Sequence, residues 1–403
     1  MKSVYFLFAC FLYLISCVGN KQESVELSIP EQNIDFAAKQ LEILNQNVGD
    51  TTYNPRTIED SGILHLIPSK DWTSGFYPGA LWYMYEFTQD STWLKEAIKY
   101  TMNVEQEKYN NKTHDMGFKI NCSFGNGYRL TGQEEYRDVL IQSAKVLSTR
   151  FNESVGCIRS WDHHQHLWQY PVIIDNMMNL ELLFLATELT GDSSFYHIAV
   201  SHADTTIKHH FRPDYGTYHV LDYDTITGKV LSKVTHQGYA AESTWSRGQA
   251  WALYGYTMCY RETGKERYLE QAVKIADFII NHPAMPEDCV PYWDFDAPQI
   301  PDEPRDVSAA AIMSSAFFDL SKLMNEANVE IPKDSLSNEY RTIAETILTN
   351  LSQNYRNEVG EHAGFLLDHS VGSKPHDSEV DVPIIYADYY FLEANKKYME
   401  SKP

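Results

Sequence analysis

An all-α fold is what this sequence predicts: a closed (α/α)6 toroid of six helical hairpins with one small β-hairpin inserted. Three observations point there. Helical hydrophobic periodicity runs through most of the 403 residues. The helices fall into two alternating kinds, one amphipathic and one apolar nearly all round. A short Thr-Gly signature recurs at the junctions between them.

The amphipathic segments lie at roughly 34–47, 92–108, 133–150, 193–210, 266–282 and 337–356. Each has one solvated stripe and reads as an outer helix. The other set lies at roughly 76–88, 116–130, 172–188, 246–261, 308–325 and 383–394, and reads as buried. Four inner-to-outer turns share one spacing: Thr88-Gln89 with Trp93, Thr131-Gly132 with Tyr136, Thr190-Gly191 with Phe195, and Thr263-Gly264 with Tyr268. Ala97, Ala199 and Ala272 follow at a common offset. Gly ends a helix in a left-handed cap, and the aromatic packs the next helix back on the last. Hairpins of this kind bury their faces only by stacking, and six of them close a ring. The alternative is a generic helical protein with chance Thr-Gly turns.

Two stretches interrupt the helices. Residues 215–236 alternate like a β-hairpin around Thr227-Gly228. Residues 283–306, rich in Pro, Asp and aromatics, read as a long loop. No linker divides residues 34–403, so they read as one domain.

The N-terminus reads as a targeting segment. Lys2 precedes an apolar run, Val4 to Ile15, too short for a stable membrane span. Leu14-Ile15-Ser16-Cys17 resembles the lipobox of bacterial lipoproteins, in which the Cys is lipidated. The expectation is a signal peptide over 1–17, a tether over 18–33, and an exported protein in the periplasm or at the outer membrane. Acyl chains on Cys17 would be its only hold on a membrane. An ordinary signal peptide is the alternative. No other segment reads as long and apolar enough to span a bilayer.

The formal net charge is −22, which argues against nucleic acid as a partner. It also repels anions at long range, so any anion site must be built locally from Arg or a helix N-terminus. Aromatics reach 13%, with 8 Trp and 27 Tyr, suiting either a surface that stacks on sugar rings or a Tyr-rich core. Cys122, Cys157, Cys259 and Cys289 show no CxxC spacing, and no His cluster is spaced as a zinc site. Cys122 and Cys259 read as buried thiols; a disulfide remains open. Oligomeric state is not readable.

The chemistry gathers where inner helices begin. Asp175 sits inside Pro171-Val172-Ile173-Ile174-Asp175-Asn176-Met177-Met178, just after a proline suited to a helix start. A carboxylate in such a run is costly unless paired or used, and burial raises its pKa toward the range of proton transfer. Asp115, in His114-Asp115-Met116-Gly117-Phe118, offers a second carboxylate. Asp71, Asp306 and Asp381 read as N-caps, and Ser246 with Gln249 as a capping box. In a toroid all inner helices point the same way, so these residues share one mouth.

Several long strings carry a resemblance. DWTSGFYPGALWYMYEFT, HDMGF with SFGNGYRLTG, IIDNMMNLELLF, HQGYAAESTWSRGQAW, RDVSAAAI and EVDVPIIYADYYFLEA closely resemble glycoside hydrolase family 88, the unsaturated glucuronyl hydrolases, in order from about residue 34 to 398. The resemblance implies an (α/α)6 barrel with no metal or organic cofactor. It implies removal of the Δ4,5-unsaturated uronic acid that polysaccharide lyases leave at a non-reducing end, with an unsaturated uronyl disaccharide as partner. Asp175 matches the catalytic acid, which would protonate C4 before water attacks C5. Asp115 matches the second Asp, at the sugar hydroxyls. Arg247, Gln237 and His219 match the uronate subsite; Trp72, Trp161 and Trp251 match stacking positions, though each Trp also suits a core. His219 and His114 are sugar contacts or structural residues. Ser370, Ser373 and Lys374 fall where some members contact a sulfate or the second sugar, with altered spacing. Burial and Asp115 should raise the Asp175 pKa against the helix dipole. Two other readings are a pectin-degrading unsaturated rhamnogalacturonyl hydrolase and a non-catalytic glycan-binding lipoprotein.

Overall fold

The computed structural model describes residues 27–59, 61–327 and 333–401. The expected signal segment, Cys17 and residues 18–26 of the expected tether lie outside them. The tether is shorter than expected: α1 (Ile29–Val48) already includes residues 29–33, with Glu31 accepting the Ser28 backbone N–H at 2.7 Å.

Inner and outer helices alternate as the periodicity dictates. α2 (Phe76–Thr88) turns into α3 (Ser91–Val104). A π-helical segment (Gly117–Gly125) runs into α4 (Asn126–Thr131), followed by α5 (Glu134–Ser148). A 3-10 segment (Ile174–Asn179) leads into α6 (Leu180–Thr190), followed by α7 (Ser193–His209). Then come α8 (Ser246–Thr263) with α9 (Glu266–Asn281), and α10 (Val307–Glu326) with α11 (Lys333–Asn354). The last inner helix, α12 (Ile385–Glu400), takes α1 as its outer partner, so the two ends of the chain form the sixth hairpin. Each inner helix packs on the next, and α12 packs on α2, which closes the toroid.

The recurring turns have a common construction. Gln89, Gly132, Gly191 and Gly264 all adopt the left-handed conformation that ends a helix. The preceding Thr88, Thr131, Thr190 and Thr263 hydroxyls donate to the carbonyl four residues back, at 2.6–2.7 Å. Each hydroxyl also accepts the backbone N–H two residues on. Trp93, Tyr136, Phe195 and Tyr268 are all buried behind these turns, as are Ala97, Ala199 and Ala272.

Small antiparallel ribbons decorate the ring: β1 (Asn54–Ile58) with β2 (Leu64–Ile67), and β3 (Phe151–Asn152) with β4 (Cys157–Ile158). β5 (Pro171–Ile173), β6 (Val220–Tyr223) and β7 (Val230–Val234) form a three-stranded sheet; β8 (Ser370–Ser373) pairs with β9 (Ser378–Val382). The β6–β7 hairpin turns at Gly228 as expected. A side chain there would collide with the Ser154 carbonyl oxygen, and φ is +67°, so only glycine fits.

Several local expectations change. Pro171 opens a strand and not a helix, because the β-branched run behind it pairs with β6 in the register Pro171↔Asp222 and Ile173↔Val220. Asp381 is no N-cap: it sits in β9 at φ +61° and pairs with His369 at 2.7 Å. Asp71 closes the turn before α2, accepting the Thr73 N–H and pairing with Arg56, both at 2.9 Å. Ser246 and Gln249 form no capping box. The Ser246 hydroxyl donates to the Tyr292 carbonyl, and the Gln249 side-chain oxygen accepts from the Thr217 N–H. α10 is, after all, long and apolar enough to cross a membrane, but 89% of its most apolar window is buried as a wall of the ring. The four described cysteines are free thiols, with Cys122 and Cys259 buried.

Candidate active site

The N-terminal ends of the inner helices converge on a small cavity that opens to solvent. Its walls bring together Trp72, His114, Asp115, Trp161, Asp175, Gln237 and Arg247, which lie far apart in sequence. Phe118 and Ile173 complete it. Both were missed from the sequence; their signal was position, three residues after Asp115 and two before Asp175.

The β5-to-helix junction delivers Asp175. Ile173 ends the strand and the chain coils at once into the 3-10 segment, which swings Asp175 into the cavity floor. The residue is only 8% exposed, and its Oδ2 has no hydrogen-bond partner. Its pKa is pushed up to about 7. Burial is the main cause, and Asp115 adds to it; Arg247, the residue's own backbone N–H and the Trp251 indole oppose it. The raising effects therefore win.

Two histidines are fixed as neutral donors. The His219 Nδ1 accepts the backbone N–H groups of His236 at 3.2 Å and Gln237 at 3.1 Å. Its proton therefore sits on Nε2, which faces Asp175 Oδ2 at 3.7 Å. Burial, reinforced by His236, Arg247, His210 and His114, holds the ring far below the usual histidine pKa. At His114 the chain of donors runs from the backbone. Asn179 Oδ1 accepts the N–H groups of Gly117 and Phe118, leaving its amide to face His114 Nδ1 at 3.4 Å. His114 Nε2 then points its hydrogen at Asp115 Oδ1, 3.2 Å away, while the Thr113 hydroxyl donates to Oδ2 at 2.5 Å. Gly117 is required here: a Cβ would lie 2.7 Å from the Asn179 Cα. The π-helical segment starts at this glycine, a distortion common at functional sites.

Arg247 is buried yet already engaged. It pairs with Asp306 at 2.7 Å and donates to the Val371 and Gly372 carbonyls, while its Nε has no partner. Asp306 does cap α10, accepting the Ala309 N–H, but it also balances Arg247. The Gln237 amide donates to the same Gly372 carbonyl at 3.0 Å. Above them Glu379 clasps Arg56, which holds Asp71 beside Trp72. The β8–β9 ribbon is thus fastened to the cavity from both sides.

Other singled-out residues stand back. Trp251 is fully buried against Phe118 and Tyr390, behind the wall, and Trp72 packs on Phe76, Phe118 and Tyr386 at its edge. Ser370 is buried with an unpartnered hydroxyl; Ser373 shares a 2.7 Å hydrogen bond with His376; Lys374 occupies the short turn that follows. None of the three lines the cavity. Among the described residues no group of three or more His, Cys, Asp or Glu is arranged to hold a metal ion. A second cavity lies at the opposite end of the ring, where inner helices finish. It is lined by the ion-paired Glu181, Arg261, Asp319 and Lys397.

A carboxyl poised near neutrality in the mouth of a helical toroid, walled by aromatics and one buried Arg, defines a carbohydrate-active hydrolase. The profile of Glycosyl Hydrolase Family 88 matches residues 50–262. The chain is 46% identical to an unsaturated glucuronyl hydrolase of Formosa agariphila over 98% of each sequence. It is 33% identical to an unsaturated chondroitin disaccharide hydrolase of Streptococcus agalactiae over 90% of each. It superposes on an unsaturated glucuronyl hydrolase specific for heparin with TM-score 0.87 and 46% identity, covering 92% of this chain and 97% of that one. A Streptococcus agalactiae variant in complex with dGlcA-GalNAc6S gives TM-score 0.76 at 29% identity, covering 94% of both. The chain belongs to glycosyl hydrolase family 88, as an enzyme of the unsaturated glucuronyl hydrolase kind.

Proposed function

We propose that the enzyme removes a Δ4,5-unsaturated uronic acid from lyase-generated glycosaminoglycan disaccharides, with Asp175 as its acid and base. The carrying observation is the buried Asp175 carboxyl, with no hydrogen-bond partner at Oδ2 and its pKa near 7, in one cavity with Arg247 and Asp115. Asp175 gives its proton to C4 of the enol ether, and positive charge develops at C5 and the ring oxygen. Water adds at C5 and returns a proton to Asp175. The resulting hemiketal opens at the C5–ring-oxygen bond, and the aglycone leaves from C1. One carboxyl serves both steps, unlike ordinary two-carboxylate glycoside hydrolysis. His219 Nε2–H and Trp251 N–H steady the carboxylate form between them. Arg247 Nε–H is the free donor for the uronate, and Trp72 and Trp161 flank the ring.

The test is loss of the enoate ultraviolet absorbance when purified protein meets unsaturated heparin and chondroitin disaccharides. A pectin-derived unsaturated rhamnogalacturonyl disaccharide should stay unbleached; preferential turnover of it would move the substrate assignment. We further propose that residues 1–17 direct export and that Cys17 carries the acyl chains. Cys17→Ala should move the protein from membrane to soluble fractions, and an unchanged distribution would refute the anchor.

A further inference from the structure

Residues 283–306, the loop between α9 and α10, supply none of the lining of the catalytic cavity. They lie instead against the stretch that carries Gln237 and Arg247. That stretch is irregular from the end of β7 at Val234 until α8 begins at Ser246. Gln237 near its head and Arg247 at its foot both donate to the Gly372 carbonyl. Ordering the backbone of one residue costs about 1–2 kcal/mol of entropy, so a fixed geometry here needs contacts that favour one conformation.

The loop supplies them. Asp294 is wholly buried. Its Oδ2 accepts the Tyr239 backbone N–H at 2.8 Å and the Ser243 hydroxyl at 2.7 Å, and its Oδ1 accepts the Asp296 N–H at 2.9 Å. Asp296 in turn accepts the Thr244 N–H at 2.9 Å. The two backbones then run together. The Phe295 N–H donates to the Thr244 carbonyl at 2.9 Å, and the Ser246 N–H to the Trp293 carbonyl at 3.2 Å. At the end of the loop Asp306 pairs with Arg247, and Trp293 packs on Val371, whose carbonyl also accepts from Arg247. Asp294 takes no part in the chemistry at Asp175, and among the described residues no Lys or Arg forms an ion pair with it. Burial pushes its pKa above the ordinary carboxyl value, with Asp296 adding to this, while the three hydrogen bonds pull back toward the carboxylate. A carboxyl buried without a cation is costly, and every donor it gathers belongs to the stretch or the loop that it ties together.

We propose that Asp294 is a positioning residue for the uronate subsite: it fixes the chain from Tyr239 to Thr244 and thereby sets Gln237 and Arg247 against the substrate carboxylate. The role rests on the hydrolase reading above and gives the loop 283–306 its task, that of a template on which the uronate-binding stretch is laid.

Asp294→Asn keeps the shape of the side chain but offers one oxygen. Whichever way its amide turns, an N–H is set against either the Asp296 N–H or the Tyr239 and Ser243 donors. KM for an unsaturated uronyl disaccharide should rise about tenfold, with kcat within about twofold of wild type, because positioning is lost and the acid is not. The inhibition constant of the same disaccharide esterified at its carboxylate should not change, since the ester brings no charge for Gln237 and Arg247 to meet. Ser243→Ala removes one of the two donors to Oδ2 and should move KM the same way by a smaller factor; it decides the matter if the Asn variant does not fold. An unchanged KM, a loss carried by kcat, or an equal loss for acid and ester would overturn the assignment, the last by showing that the loop shapes the whole cavity. If the wild-type enzyme turns over no unsaturated uronyl disaccharide, the hydrolase reading falls and this assignment falls with it.

Discussion

Asp175 carries opposing demands. Its folded-state pKa of about 7 lies above the ordinary carboxyl value of 3.8. Below about pH 4 the group is protonated in both folded and unfolded chains and costs nothing. As pH rises toward 7 the unfolded chain loses this proton while the folded one keeps it, so stability falls by up to roughly 4 kcal/mol. Asp175→Asn should therefore raise the melting temperature at pH 8 and leave it nearly unchanged near pH 4. The same variant should bind substrate while turnover drops by about 10²–10⁴-fold, because a proton donor is lost with little change of shape. In the wild type kcat/KM should decline as pH passes about 7, since the acid form starts the reaction. A melting temperature unmoved at pH 8, or substantial residual turnover, contradicts the role. His219 gives a separate test. His219→Ala strands two backbone N–H groups, of His236 and Gln237, at a cost of about 1–3 kcal/mol, and frees the loop bearing Gln237. KM should rise together with a lowered melting temperature; a variant as stable as the wild type would show that the loop does not hang on this ring. Asp175 was visible in the sequence because a charge interrupts an apolar run. The His219 tautomer was not, because it is set by N–H groups that only the fold brings near.

At the scale of elements the legible part was the repeat. Thr-Gly turns announce helix ends by chemistry that is local: a left-handed cap and a hydroxyl that closes the last turn. A methyl group added at Gly132, Gly191 or Gly264 would meet nothing within 4 Å, so substitution there tests backbone strain alone. Gly191→Ala should cost about 1 kcal/mol in urea unfolding, and the three Ala variants should add, since the turns are far apart. A loss several times larger at one of them would mean that the turn bears tertiary load. The start of the third inner helix differs from its sequence reading for a reason of the opposite kind. Val172-Ile173-Ile174 is apolar enough for either a buried helix or a buried strand, and only β6, nearly fifty residues on, decides between them. Asp306 was half legible: its cap is local, whereas its partner Arg247 comes from another hairpin.

Across the whole molecule, closure depends on contacts between chain ends, and here the amphipathic pattern was enough. α1 buries Phe36, Leu41 and Leu44 and packs against α12, where Asn33 meets Asn395 at 2.9 Å. Charge is the other global property. A net of −22 sets a repulsive field for any uronate, while Arg247 and the cavity wall attract it only at short range. Salt screens the long-range part far more than the buried part, because the Debye length falls from about 30 Å at 0.01 M to about 8 Å at 0.15 M. Raising ionic strength over that range should therefore increase kcat/KM for an unsaturated uronyl disaccharide, through a lower KM with kcat unchanged. An uncharged variant of the substrate, with its carboxylate esterified, should show no such gain. If kcat/KM instead falls with salt, the field that the substrate meets is positive, and the local Arg247 cation, not the acidic bulk of the protein, governs its approach.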